Sequence, residues 1–141
     1  GNGHVKVVQL LLRYGANLHA KDDEAFRNSV RRWRVEVLTL LLHRGANIHA
    51  NDDEALRVSA KQGNTTFVRN FLKCGANVHA KNDEALRLSA KKGYTGVVHV
   101  LIHYGANVHA KDDEALQLAK KAGVVWALKN AHNFEQKRAK I

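Results

Sequence analysis

The sequence predicts an all-α fold, a solenoid of stacked helix-turn-helix units, because it has a fixed internal period and helix signals within each period. Four near-identical hexapeptides recur every 30 residues: GANLHA at 15–20, GANIHA at 45–50, and GANVHA at 75–80 and 105–110. Each is followed by a similar acidic segment, such as KDDEA at 21–25. A period of about 20 to 50 residues is typical of proteins built from stacked repeats.

The first helix of each unit is predicted from its residue pattern. In DEALRLSAKKG (83–93), Leu86 and Ser89 to Ala90 share one face. Acids stand at the start, lysines stand at the end, and a glycine follows, as is common at helix C-termini. These signals place the first helix of this unit before Gly93.

The second helix follows after a short turn. TGVVHVLIHYG (95–105) spaces its apolar residues as one helix face and again ends at a glycine; the apolar residues are Val97, Val98, Leu101 and Ile102. Two short antiparallel helices cannot bury their apolar faces alone, so each unit is expected to stack on its neighbours.

These residues resemble an ankyrin repeat. GANVHA is similar to the glycine-alanine-aspartate-valine-asparagine-alanine stretch of that family, and VLIHYGAN is similar to its second helix and exit. EALRLSAKKGYTGVV is similar to its threonine-proline-leucine-histidine-x-alanine-alanine-x-x-glycine-histidine-x-x-valine-valine segment. The resemblance runs from Gly3 to about Ala131 and implies an ankyrin-repeat solenoid.

The unit departs from the family pattern in two ways. The ankyrin period is about 33 residues, and the shortfall lies between HAKD and EALR, so shortened β-turn loops are expected. The proline that opens the first helix in the family is replaced by alanine, at Ala25, Ala55, Ala85 and Ala115. This short form resembles the repeats of long arrays in proteins of large DNA viruses.

The repeat boundaries predict a single ankyrin-repeat domain over residues 1–141. Residues 4–14 form a partial repeat, and the full repeats are 15–44, 45–74 and 75–104. Residues 105–141 are a C-terminal capping repeat and tail, because Ala131 and His132 leave the outer face of its second helix polar. In the partial repeat, the apolar face of the helix is expected to lack a packing partner.

Composition limits which class of protein this chain belongs to and which cellular compartment suits it. No apolar run approaches the roughly 18 residues that a membrane span needs. A single cysteine, Cys74, has no partner for an intrachain disulfide and favours a reducing compartment, so we predict an intracellular protein, cytoplasmic or nuclear. The incomplete first repeat and the absence of methionine predict a fragment of a longer, adaptor-type protein.

Two recurring groups invite a metal-site interpretation. The first group is the acidic segment of each copy, such as Asp22, Asp23 and Glu24. Its simpler interpretation is structural, since acids in the first turn of a helix stabilise the helix by about 0.3 to 1 kcal/mol each. Stacked helices lie about 8 to 10 Å apart, whereas zinc ligands each reach to about 2.0 to 2.1 Å. The histidine column is therefore expected to bond turn backbone instead: His19, His49, His79 and His109.

No arrangement of residues indicates catalysis. The sequence has no nucleophile placed with a base and an orienting acid, no phosphate-binding glycine loop followed by lysine, and no Cys-x-x-Cys. We therefore predict that the protein is not an enzyme and has no metal, no cofactor and no small-molecule substrate.

An arginine recurs in each of three first helices, three residues after a glutamate, at Arg27, Arg57 and Arg87. Pairs at this spacing within one helix contribute about 0.2 to 0.5 kcal/mol. The same arginines form a ladder, interrupted at Gln117, that is a candidate for holding an acidic partner. Bridging to glutamates is the favoured interpretation.

The net charge of +10 raises the question of nucleic acid. The excess is spread along the chain, aromatic residues make up 6%, and no recognised nucleic-acid motif is present. An acidic protein partner, or nonspecific attraction of a polyanion, fits the charge as well as a specific duplex. The first hypothesis is a noncatalytic protein-protein interaction scaffold; the alternative is a basic scaffold that binds nucleic acid or another polyanion.

The resemblance implies a recognition surface formed by hairpin tips and first-helix surfaces. Here the tips are short and nearly identical, whereas the loop between the two helices differs from copy to copy. We therefore expect this loop to carry specificity, and the candidate residues in it are Arg34, Asn64 and Tyr94.

One of these loops breaks the pattern. The stretch RRWR has Trp33 where the other copies have glycine, while Arg31 and Arg32 match other helix-end cations. A left-handed conformation costs a non-glycine residue about 1 to 2 kcal/mol. Either the loop bends differently and Trp33 packs over a gap left by Asn28, or Trp33 and its flanking arginines, Arg34 included, form an exposed binding hot spot.

Overall fold

The computed structural model describes residues 2–123, which form eight α-helices and contain no β-strand. The predicted all-α class is therefore confirmed over the described range. The predicted second helix of the last repeat, and the predicted capping role of Ala131 and His132, fall on residues outside that range. The helices are α1 (Asn2–Arg13), α2 (Ala20–Arg31), α3 (Val35–His43), α4 (Ala50–Lys61), α5 (Thr65–Lys73), α6 (Ala80–Lys92), α7 (Thr95–His103) and α8 (Ala110–Ala122).

The chain divides into two compact units, Gly1–Ala55 and Leu56–Ile141. In the first unit, α3 packs against both α1 and α2. In the second unit, α6 packs against α7 and α8, and α7 packs against α5. Within each unit the helices thus stack as the repeat pattern predicts, and the single-domain boundary of residues 1–141 stays a prediction.

Each unit has a core made of the residues at the helical spacing that the sequence shows. Phe26, Val30 and Leu41 are almost completely buried in the first unit, and Leu86 and Leu101 are completely buried in the second. Apolar side chains of α1 are more exposed, since Val7, Leu10 and Leu11 each expose more than half of their surface.

A left-handed turn opens each first helix. Lys81, Asn82 and Asp83 have φ values of 51°, 55° and 54°, and residues 21–23, 51–53 and 111–113 have the same conformation. Each such residue costs about 1 to 2 kcal/mol, so other contacts must hold the turn. Asp22 and Asp23, which the sequence pattern assigns to the first helical turn, therefore lie in this left-handed turn instead, whereas Glu24 does not have a left-handed conformation.

The loop between the two helices of a repeat also needs a left-handed residue. Gly63 has a φ of 77°, and a Cβ atom added there would lie 3.1 Å from the ring of Tyr94. The ring of one loop therefore packs on the glycine of the preceding loop. Both the backbone conformation and this close approach favour glycine at position 63.

Gly63→Ala is expected to lower the free energy of unfolding by about 2 kcal/mol, because the backbone cost adds to crowding against Tyr94. Gly105→Ala is the matched control: its φ is 90°, but open space surrounds the added Cβ, so a loss of about 1 kcal/mol is expected. Urea denaturation of both variants measures the difference. Equal losses would show that the tyrosine contact does not constrain this loop.

Candidate functional site

The loop at Trp33 keeps the backbone of the glycine loops. Trp33 has a φ of 54°, close to the 77° of Gly63. The N–H of Arg34 donates to the carbonyl of Ser29 at 2.9 Å, and the N–H of Asn64 makes the equivalent bond at 3.0 Å. The expectation that this loop bends differently is therefore wrong, and the tryptophan takes the left-handed conformation despite its cost.

Trp33 lines a surface depression of about 270 Å³ in the first unit. Trp33 and Arg34 are half-buried, whereas Val35 exposes 53% of its surface. The depression joins an aromatic ring and aliphatic side chains to charged groups of both signs. Its lining residues are His4, Trp33, Arg34, Val35, Glu36 and Val37.

The three arginines around Trp33 have different environments. The guanidinium of Arg31 bonds the carboxylate of Glu54. Arg32 and Arg34 have no carboxylate partner among residues 2–123. The sequence predicted all three arginines as binding residues, but Arg32 and Arg34 are the ones whose charges remain available to a partner.

Glu54 is a buried acceptor for several donors. Arg27 Nε lies 2.7 Å from its Oε2 atom, and Asn51 Nδ2 lies 2.8 Å from the same oxygen. Burial by itself raises the pKa of Glu54. The hydrogen bonds from Asn51 and the two arginines lower the pKa by more than burial raises it, so the pKa lies below its usual value. The carboxylate is thus held in its charged form between two repeats.

The other two ladder arginines also reach the next repeat. Arg57 Nη1 lies 2.5 Å from Glu84 Oε2, and Arg87 Nη1 lies 2.5 Å from Glu114 Oε2. The predicted bridging to glutamates is present, but the expected partner within the same helix is wrong for these contacts, which span 27 residues. A direct role of the ladder in partner binding stays a prediction.

Histidine and aspartate pair across each left-handed turn. His79 Nδ1 lies 3.1 Å from Asp83 Oδ1, and the corresponding distances at His19, His49 and His109 are 3.0, 2.9 and 2.5 Å. The prediction that the histidine side chains bond turn backbone is therefore wrong. A usable signal was present in the sequence, since histidine and aspartate stand four residues apart in all four copies.

The aspartates of these pairs also connect one repeat to the next. Asp83 Oδ1 accepts a hydrogen bond from the N–H of Asn107 at 2.7 Å, and Asp23 Oδ1 accepts one from Asn47 at 2.7 Å. Both aspartates are buried. Over residues 2–123, no three histidine, cysteine or acidic side chains are grouped so as to hold a metal ion.

Asn64 and Tyr94, the other predicted binding residues, both take part in the fold. Asn64 Oδ1 accepts a hydrogen bond from the N–H of Phe67 at 3.1 Å and so caps α5. Tyr94 is half-buried against Gly63. Their role in binding a partner stays a prediction.

Comparison with known families agrees with the repeat pattern. A family model described as ankyrin repeats, in three copies, matches residues 25–112, and a model of a single ankyrin repeat matches residues 1–23. No curated protein matches the chain significantly. None of the helices within residues 2–123 is long and apolar enough to cross a membrane.

Proposed function

Because the chain belongs to the ankyrin-repeat family, we propose that it is a noncatalytic scaffold that recognises another protein through the depression at Trp33. Ankyrin repeats mediate protein-protein interaction, so the family supplies the class of function. The proposed location of the binding site rests on one observation, which is that Trp33 lines this depression and has a left-handed backbone conformation. A strained residue that the fold retains is a reason to look for function at that place.

The chemistry of the depression suits a protein partner. Tryptophan and arginine are enriched among residues that dominate binding energy. A volume of about 270 Å³ is smaller than the range of about 300 to 1,000 Å³ that is typical of small-molecule pockets. We therefore propose that one apolar side chain of the partner enters it, next to an acidic residue that pairs with Arg32 or Arg34.

Trp33→Gly is expected to abolish partner capture while leaving the melting temperature equal or higher. Glycine adopts the left-handed conformation without the steric cost that tryptophan has, whereas the aromatic wall of the depression is lost. Proteins retained by the immobilised chain after nuclease treatment are identified by mass spectrometry. The best of them is then titrated against both forms of the chain, and thermal unfolding is followed in parallel.

Tyr14→Ala is the control for this experiment. Tyr14 is an aromatic residue with 82% of its surface exposed, just beyond the C-terminal end of α1 and away from His4. The control is expected to keep full binding. A large loss of stability in Trp33→Gly, or unchanged binding, would contradict the proposal.

A second candidate function is a basic scaffold for nucleic acid or another polyanion, and the net charge of +10 supports it. Nonspecific binding of this kind weakens steeply between about 50 and 200 mM salt. Capture that requires intact nucleic acid would favour this candidate over the protein scaffold.

Three finer statements are also proposals. The 30-residue period supports the short form of the repeat, similar to arrays of large DNA viruses. An adaptor-type role would follow from protein recognition without catalysis. The free cysteine Cys74 supports an intracellular location, cytoplasmic or nuclear.

A further inference from the structure

In the described part of the second unit, acids stand only at the starts of the first helices, whereas lysines stand at both the starts and the ends. The acids of its described part stand at the helix starts, at Asp83, Glu84, Asp112, Asp113 and Glu114. Five lysines stand at the ends of α4, α6 and α8, and we call them the lysine edge: Lys61, Lys91, Lys92, Lys120 and Lys121. All five are exposed, and none has a carboxylate partner within residues 56–123.

Contacts within the second unit bring these helix ends to one side. The ring of Tyr94 lies on Gly63, so the loop after Lys61 adjoins the loop after Lys92. Arg87 of α6 bonds Glu114 of α8, so these two helices run in register. Equivalent lysines of successive repeats therefore lie next to each other.

The acids at the other end of the helices do not cancel this charge. Seven residues separate Glu84 from Lys91, or roughly 10 Å of helix, which is longer than the screening distance of about 8 Å at physiological salt. The partial negative charges of three helix C-termini, about half a charge each, sum to less than a third of the five lysine charges. The lysine edge is therefore a net cationic surface.

We propose that the lysine edge docks an extended acidic segment of a protein partner, with a carboxylate at about every third residue. Neighbouring helices are separated by about 8 to 10 Å. A chain in the extended polyproline II conformation advances about 3.1 Å per residue with three residues per turn, so every third side chain lies on the same face. One acidic side chain in three therefore meets one repeat. This inference rests on the proposed function in taking the ligand to be a protein, but it uses a different surface from the Trp33 depression.

The same surface is a poor match for nucleic acid. Single strands are held by basic grooves combined with aromatic rings on which bases stack. Within residues 56–123, Tyr94 is an aromatic residue next to the lysine edge, and its ring is half-buried on Gly63. Duplex-binding folds place a helix or strand in a groove, whereas the lysine edge presents helix ends and loops.

The test uses the whole chain and a fluorescent, proline-rich peptide of about 12 residues in the polyproline II conformation, with glutamate at every third position. The triple variant Lys61→Gln, Lys91→Gln, Lys121→Gln is expected to weaken binding about tenfold at low salt, because three ion pairs are lost. Fluorescence anisotropy titration measures the dissociation constant. The control, Lys73→Gln, Lys81→Gln, Lys111→Gln, removes the same charge from the end of α5 and the starts of α6 and α8, outside the lysine edge, and is expected to change binding less than about twofold.

Three results would overturn the inference. Equal losses of affinity in both triple variants would show that peptide binding depends on the net charge of the chain and not on the lysine edge. Equal affinity for a peptide with its glutamates in one block would show that the spacing of the carboxylates does not determine binding. Tighter binding of a single-stranded oligonucleotide, lost in the lysine-edge variant, would assign the surface to nucleic acid. None of these results depends on Trp33→Gly, so failure here and failure of the proposed function are distinguishable.

Discussion

Glu54→Gln is expected to lower the free energy of unfolding by about 2 to 4 kcal/mol. The carboxylate side chain is 8% exposed and receives bonds from Arg27 and Arg31. Removing one member of a buried, hydrogen-bonded ion pair leaves its partners without compensation, which is costly. Urea denaturation at neutral pH measures the loss.

Glu24→Gln is the matched control, since Glu24 has the same position one repeat earlier. Its side chain is 48% exposed, and its ion pair with Lys21 has a separation of 3.9 Å. Exposed pairs contribute about 0 to 1 kcal/mol, so the control is expected to be nearly neutral. Comparable losses at the two positions would show that the buried cluster around Glu54 does not stabilise the fold beyond an exposed pair.

The pH dependence of the Glu54 effect follows from the lowered pKa of this group in the folded protein. Its stabilising contribution is fully present above the unfolded-state pKa, about 4.3 for glutamate. That contribution is lost as the pH falls through the lower folded-state pKa. The difference between the native chain and Glu54→Gln should therefore shrink in denaturation experiments below about pH 4. A difference that stays constant into strong acid would contradict this assignment.

Asp83→Ala is expected to cost about 3 to 4 kcal/mol. The carboxylate accepts the N–H of Asn107 at 2.7 Å and faces His79 at 3.1 Å, in a buried position. Its loss removes charge-assisted bonds and leaves a backbone donor unpaired, and alanine tolerates the left-handed φ of position 83 less well than aspartate does. Thermal and urea unfolding both report the change.

Asp113→Ala is the control for this variant. Asp113 has the same left-handed conformation and also pairs with a histidine, His109, but its side chain is 52% exposed. The smaller expected loss, about 1 to 2 kcal/mol, is mainly the backbone cost. If both variants lose the same amount, the bond from Asp83 to the next repeat contributes little to stability.

The helices and their stacking could be predicted from the sequence because four copies of one pattern repeat the same apolar spacing. Leu86 and Leu101 were expected on helix faces and are completely buried. The glycine column indicated a left-handed residue after the first helix, and Gly63 and Gly93 have that conformation. Such features depend on local sequence, which is visible in the one-dimensional pattern.

Partners in other repeats could not be predicted in the same way. The pairing of Arg87 with Glu114 rather than Glu84 depends on how closely two helices stack, which sequence spacing alone does not give. The lysine edge was missed because counting charge by segments averages the two ends of each helix. The pairing of His79 with Asp83 lies within one repeat, and its four-residue spacing was visible in the sequence, but the acidic, helix-like sequence did not indicate the left-handed turn between the two residues.

The spacing of the contacts between repeats limits how the length of the array can change. Asp83 reaches 24 residues ahead to Asn107, and Arg87 reaches 27 residues ahead to Glu114. The first unit has the same two spacings, from Asp23 and Arg27. Adding or deleting a whole period restores both contacts with equivalent residues, whereas an insertion of one residue between the paired positions misaligns both. Arrays of this kind can therefore grow or shrink in steps of one repeat, but not by single residues.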